Sequence, residues 1–178
     1  MTITDQLLFE KLTAADEFVR KRLTDPRARW LSMLVDGAYP NIERMWVLTE
    51  DGFRAVVHRI LPVPEGQTPL IHWHTRPMAF LLLDGSYREG RGTGTPDGSP
   101  PVTLEERIRS PGDRHAMASP HEWHWVRPVR HSVLTVCVFG LPFRGMQERQ
   151  TPMIHSPLPP DRLARLIADT RTIYGLSE

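Results

Sequence analysis

Two of the eight histidines lie in Ile71-His72-Trp73-His74. In an extended strand, residues i and i+2 project from the same face. His72 and His74 are therefore expected side by side, with Trp73 on the other face. Two neutral imidazoles on one face can each offer a nitrogen to a transition metal, at the ~2.0–2.1 Å typical of zinc–nitrogen bonds. A third ligand must come from elsewhere. The segment Ser119-Pro120-His121-Glu122-Trp123-His124-Trp125 supplies two candidates, His121 and His124. Glu122 shares strand parity with His124 and is a candidate base or fourth ligand, against the plainer role of a solvated carboxylate. For His58, His115, His131 and His155 the plain reading is structural or surface. A bare His-X-His is a weak signal; the β-type runs around it and the second cluster downstream strengthen it.

The elements that must position these residues fall into three stretches. Residues 4–23 read as a helix, because Leu7, Leu8, Leu12, Ala15, Phe18, Val19 and Leu23 recur at helical spacing. Thr4 or Asp5 can cap it. A second short helix is expected over about 27–36, after Asp25-Pro26. From about residue 43 the texture changes to short apolar runs between turn signals, near 44–49, 53–61, 69–74, 78–84, 86–90, 102–109, 115–118, 122–127 and 132–139. Many short strands at this pitch predict an all-β sandwich or barrel. Glu50-Asp51-Gly52 and Asp84-Gly85 are tight-turn candidates, and the Gly/Pro-rich stretch 90–101 reads as a hairpin excursion. Its glycines are not a phosphate loop, since no helix pattern follows and lysine is absent. A Pro-rich tail from Pro152 to Pro160 leads into a final helix with Leu163, Leu166, Ile167 and Ile173 as its buried stripe, closed by Gly175.

Composition limits the function classes. The chain has 178 residues, 40% hydrophobic and 24% charged, with a formal charge of +1 from 22 basic and 21 acidic residues. That balance argues against a nucleic-acid binder, which carries a basic face. No apolar run reaches the ~20 residues of a membrane span. One cysteine, Cys137, forms no intrachain disulfide, and within an apolar strand it reads as an inert small hydrophobe. The N-terminus lacks a signal-peptide pattern. Together these predict a cytoplasmic protein that binds no nucleic acid and no membrane.

The pattern resembles a known superfamily. Gly66-X5-His72-X-His74, then Met78, a hydrophobic strand and Gly85, is similar to the first motif of the cupins; Pro111-Gly112-Asp113 followed by His124 is similar to the second. Many cupins carry a glutamate where Met78 stands, so a three-histidine site is what remains. Among three-histidine cupins the chain resembles the cysteine dioxygenase-like thiol dioxygenases more closely. His72-Trp-His74-Thr75, Phe80-Leu-Leu-Leu-Asp-Gly85-Ser-Tyr-Arg-Glu89, Trp123-His124-Trp-Val126-Arg-Pro128 and Leu134-Thr-Val-Cys-Val-Phe139-Gly-Leu-Pro142-Phe143 carry that resemblance, over roughly 40–145.

The resemblance implies a mainly β fold, a small cupin jelly-roll barrel with N-terminal helices and a C-terminal helix. It divides the chain, as one cupin domain, into a helical segment 1–40, a barrel 41–145 and a tail with helix 146–178. It implies His72, His74 and His124 as metal ligands. Fe(II) is the expected cofactor, with Zn or Ni as alternatives, since imidazole suits them all. Arg44 falls near the family's substrate-carboxylate arginine and Thr135 on the hydroxyl of its Ser-His-Tyr relay; these two are the catalytic candidates. Arg54 and Arg59 are alternatives to Arg44. The relay's histidine and tyrosine fall on Cys137 and Phe139, and the cysteine cross-linked to that tyrosine in some members falls near Ala79. Dioxygen and an anionic small molecule are the implied reactants, and a homodimer through β-faces is the implied assembly. The implied activity is a non-haem iron dioxygenase acting on a small thiol or carboxylate-bearing substrate. A non-oxidative Zn or Ni cupin enzyme of a biosynthetic pathway, and a ligand-binding cupin without turnover, are the competing readings.

Overall fold

A computed structural model describes residues 4–49, 51–95, 99–143 and 153–176. Glu50 of the first expected turn, 96–98 of the Gly/Pro-rich excursion and Pro152 at the head of the tail lie outside them. In chain order the elements are α1 Asp5–Leu23, β1 Leu31–Asp36, β2 Ile42–Leu48, β3 Arg54–Ile60, β4 His72–Trp73, β5 Met78–Asp84 and β6 Tyr87–Thr93. They continue with β7 Glu105–Arg109, β8 Arg114–Met117, β9 Glu122–Pro128, β10 Val133–Phe139, β11 Ile154–Ser156 and α2 Pro160–Ile173.

The strands form two antiparallel sheets of jelly-roll type, as expected. One has the order β11-β1-β2-β3-β10-β5-β8, the other β4-β9-β6-β7. Alternation sorts the large sheet into two faces. Its outer face carries Met45, Val47, Ala55, Val57, Ala79, Leu81, Val136 and Val138, packed with Leu8, Leu12, Ala15 and Val19 of α1. Leu8, Leu12 and Val19 are sealed from solvent, and each such side chain contributes about 1.5–3 kcal/mol through burial. Thr4 caps α1 by accepting a hydrogen bond from the Leu7 amide. The inner face carries Val56, Met78, Phe80, Met117, Cys137 and Phe139. It turns toward the small sheet, which it meets through Ile60, Leu82, Tyr87, Val126 and Val133.

α2 is fixed to β2 and β3 by charge. Glu43, almost fully buried, accepts from Arg162 of α2 and from Arg59, which also reaches Asp169 of α2. Its Leu166 is sealed within the same outer-face core as α1.

Two expectations are corrected. The second helix over about 27–36 is instead strand β1, paired with β2 from Leu31↔Trp46 to Val35↔Ile42. The apolar run Leu31, Met33, Leu34, Val35 suits either period, and pairing with the open edge of β2 decides it. The Pro-rich tail also contains a strand, β11, on the free edge of β1. No helix among the described residues is long and apolar enough to cross a membrane.

Candidate metal centre

β4 and β9 are short antiparallel neighbours, with His72 directly opposite His124 and Trp73 opposite Trp123. Directly opposite residues share a face. The two histidines therefore project together into the molecule while the tryptophans project outward. Glycines admit that outward layer: a Cβ on Gly90 would lie 2.2 Å from Trp125 Nε1, and one on Gly94 2.2 Å from Trp123 Nε1. His74 follows the end of β4 and joins from the side. The candidate ligand atoms of His72, His74 and His124 lie within 4.8 Å of one another. The three ring centroids form a near-equilateral triangle, at 4.8, 4.7 and 5.0 Å.

The ring nitrogens are sorted by their outer partners. His72 Nδ1 donates to the Leu70 carbonyl at 3.1 Å, which leaves Nε2 for the centre. His124 Nδ1 lies 3.3 Å from Glu89 Oε1, which leaves its Nε2 free as well. Nε2 of His74 and Nε2 of His124 stand 2.9 Å apart. Two nitrogens each ~2.0–2.1 Å from one ion can stand no more than about 4 Å apart, so this pair is close enough to share one. The donor set, its spacing and its outer hydrogen bonds fit a divalent transition metal. Burial, reinforced by the charge of His124 and opposed by the Leu70 bond, lowers the His72 pKa to about 3. Burial, and then the neighbouring His72 and His124, hold His74 well below the usual imidazole range. His72 and His74 are thus held in the neutral form, the form that ligates.

Glu89 is a site residue that the motif reading left unused. It is 1% exposed and accepts from Arg109 Nε at 2.9 Å as well as from His124. His115 Nε2 lies 3.3 Å from the same Oε1 without an aligned hydrogen bond. Burial alone would raise the Glu89 pKa; the bond from His124, the charges of His115 and His124, and Arg109 outweigh it and bring it to about 2. A carboxylate behind a ligating histidine fixes its tautomer and raises its basicity. The sequence signal was parity: Tyr87, Glu89 and Arg91 share the inward face of β6, and an acidic residue there needs a reason.

The remaining candidates are placed as follows. His121 stands outside the convergent cluster. Glu122 is held by Arg91 at 2.6 Å and by the Ser119 amide at 2.9 Å, which explains it as a structural carboxylate. Arg59 faces α2 through its ion pairs. Arg54 lies opposite Phe139 at the strand end. Arg44 lies on the inner face, with its guanidinium carbon 5.9 Å from the Phe139 ring centroid. Burial lowers its pKa to about 10, so it stays cationic at neutral pH. Its Nε is sealed and without a hydrogen-bond partner among the described residues. Thr135 is fully buried, with Oγ1 3.3 Å from Cys137 Sγ. Burial pushes the Cys137 thiol up to about 12, which keeps it protonated.

His58, read from the sequence as structural or surface, is buried on the same inner face. Its Nδ1 lies 3.5 Å from Cys137 Sγ, and its buried Nε2 has no hydrogen-bond partner among the described residues. An imidazole therefore stands beside Cys137 after all, delivered by β3 rather than by β10. A buried polar group without a partner costs about 1–3 kcal/mol, which marks the Arg44–His58 pocket as a place where stability is given up.

No family model matches the chain, and no curated protein matches it. Solved structures of low similarity do. Hydroxypropylphosphonic acid epoxidase from S. wedmorenis is 12% identical at a TM-score of 0.44, over 56% of this chain and 50% of that one. KdgF from Halomonas sp. is 20% identical at 0.44, over 65% and 89%. Drosophila melanogaster CENP-C, solved bound to CAL1, is 12% identical at 0.47, over 74% and 98%. The chain spans about half the length of the epoxidase.

Proposed function

We propose that this chain is a cupin metalloenzyme that holds one Fe(II) through His72, His74 and His124 and oxidises a small carboxylate-bearing thiol with dioxygen. The observation that carries the metal reading is the convergence of three imidazoles whose Nε2 atoms are left inward by bonds at Nδ1 or by direct apposition. Bound Fe(II) supplies open coordination positions and the redox capacity for dioxygen chemistry. Three neutral ligands leave the ion's full positive charge, which favours an anionic substrate donor such as a thiolate. Arg44 supplies a second positive charge on the inner face and clamps the substrate carboxylate. Phe80, Phe139 and Met78 keep the surroundings apolar, so these charges act in a low dielectric and with little competition from water. Glu89 holds His124 in the ligating tautomer, and buried Thr135 orients the Cys137 thiol beside His58. In the proposed reaction both atoms of dioxygen end on the substrate sulfur, giving a sulfinate.

A second reading keeps the metal and drops the oxidation. It is favoured by Phe139 and Cys137, which place no phenol and no β10 imidazole on the inner face. In that reading Zn or Ni occupies the same three histidines.

The deciding experiment is elemental analysis of the purified protein beside a His74→Ala variant, followed by dioxygen-uptake assays with mercaptoacetate and cysteine. Near-stoichiometric iron lost in the variant, with dioxygen consumed and sulfinate formed, is the expected result. Stoichiometric zinc or nickel with no dioxygen uptake transfers the assignment to the second reading. Full metal retention by His74→Ala removes the metal centre itself.

A further inference from the structure

Behind the three histidines the large sheet carries a polar row. Arg44 is directly opposite His58 across β2 and β3, and His58 is directly opposite Thr135 across β3 and β10. The three side chains therefore share one face, the inner one. The next row on that face runs through Val56, Cys137 and Phe80. Phe80 connects this face to the metal centre, with its ring centroid 6.2 Å from that of His124. Phe139 lies beside both polar groups, 5.6 Å from the His58 ring and 5.9 Å from the Arg44 guanidinium carbon.

The row contains two nitrogens with nothing to bind. Arg44 Nε and His58 Nε2 are both buried, and neither has a hydrogen-bond partner among the described residues. They sit on adjacent strands at the same register. His58 is also the end of a chain: Thr135 Oγ1 stands 3.3 Å from Cys137 Sγ, and Cys137 Sγ stands 3.5 Å from His58 Nδ1. Fully buried groups linked this way fix the ring's orientation, and when the thiol donates to Nδ1 the ring proton sits on Nε2. That arrangement presents one N–H from His58 next to the N–H groups of Arg44. A carboxylate accepts on two oxygens, and the two donors match it.

We propose that His58 is a specificity-determining residue of the metal site, its Nε2–H and the Arg44 guanidinium together receiving the carboxylate of a small ligand whose other donor binds at His72, His74 and His124. This rests on the metal reading above and adds to it a second, neutral donor. The Thr135–Cys137 chain positions that donor. A ligand of the same length without the carboxylate has no use for either group.

The test uses Co(II)-loaded full-length protein, with the visible Co(II) absorption as the signal. Mercaptoacetate and ethanethiol are titrated into wild type, His58→Leu and His58→Gln. His58→Leu is expected to bind mercaptoacetate about tenfold more weakly, with ethanethiol and Co(II) affinities unchanged, and His58→Gln, which keeps an N–H, recovers most of the loss. A Cys137→Val variant, which keeps the imidazole but cuts the chain, is expected to weaken mercaptoacetate alone, by about threefold, and reads the same question if His58→Leu does not fold. Equal mercaptoacetate affinity in wild type and variants overturns this inference and leaves the metal reading standing. Equal weakening of both ligands also overturns it, since that is a structural effect. A wild-type protein that takes up no Co(II) overturns the metal reading and this inference together.

Discussion

At the scale of single residues, the histidine cluster is legible in the sequence and its supporting residues are not. His72 and His74 draw attention by their i, i+2 spacing, although only His72 lies in β4 and His74 reaches the cluster from beyond its end. Their third partner was narrowed to two histidines three residues apart, and strand parity in β9 separates them: His124 faces inward opposite His72. Glu89 and His58 escaped notice because their significance is a pairing across strands. Nothing within ten residues of Glu89 shows that its carboxylate meets His124 from another strand. Glu89→Gln is expected to weaken divalent-metal affinity by about 10–100-fold while the fold persists. The variant exchanges an acceptor-only carboxylate for an amide that must find its orientation beside both His124 and Arg109. Competition with a chromophoric chelator measures this, and an unchanged metal affinity would show that Glu89 serves only to neutralise Arg109.

At the scale of elements, strands bounded by turns were readable and strands bounded by neighbours were not. β2, β3, β5, β6, β9 and β10 lie where alternation and turn residues predicted them. β1 carries an ambiguous apolar run and β11 is only three residues, so both depend on the free edge each one finds. The small sheet shows how a sequence detail acts at this level. Gly90 lies directly opposite Trp125 across β6 and β9, and the indole occupies the space where a side chain would be. This lets the outer tryptophans pack close against the backbone of the sheet whose other face carries His124. Gly90→Ala is expected to cost about 1–3 kcal/mol, the usual penalty for forcing extra volume into a packed site. Thermal melting measures it. Gly66→Ala makes a useful contrast: its Cβ would meet nothing within 4 Å, so any loss there comes only from its φ of +75°. A Gly90→Ala melting point equal to wild type would mean that the indole moves aside freely.

At the scale of the whole molecule, the cost of building this interior is paid in acid sensitivity. His58, His72, His74 and His115 are all held below the ordinary imidazole pKa of 6.5, each chiefly by burial, with His72 and His115 brought to about 3. Lowered folded-state values mean that the unfolded chain binds more protons once the pH falls below 6.5. Stability is therefore complete above that pH and is lost as the pH drops from 6.5 toward 3. Each such histidine contributes a slope of up to about 1.4 kcal/mol per pH unit between 6.5 and its own folded-state value, and the slopes add. Glu89 adds a further loss with the same sign between 4.5 and about 2. The metal-free protein is expected to show urea midpoints that are flat from pH 8 to 7 and fall steeply from 6.5 to 5. A divalent ion that binds only the folded state shifts the fall to lower pH, because it competes with protons for His72, His74 and His124. Replacing His115 by a neutral residue of similar size, as in His115→Gln, removes one proton from the difference and makes the slope shallower by about a quarter. Midpoints that do not change between pH 7 and 5 would mean that these imidazoles take up protons in the folded state, and that burial does not hold them neutral.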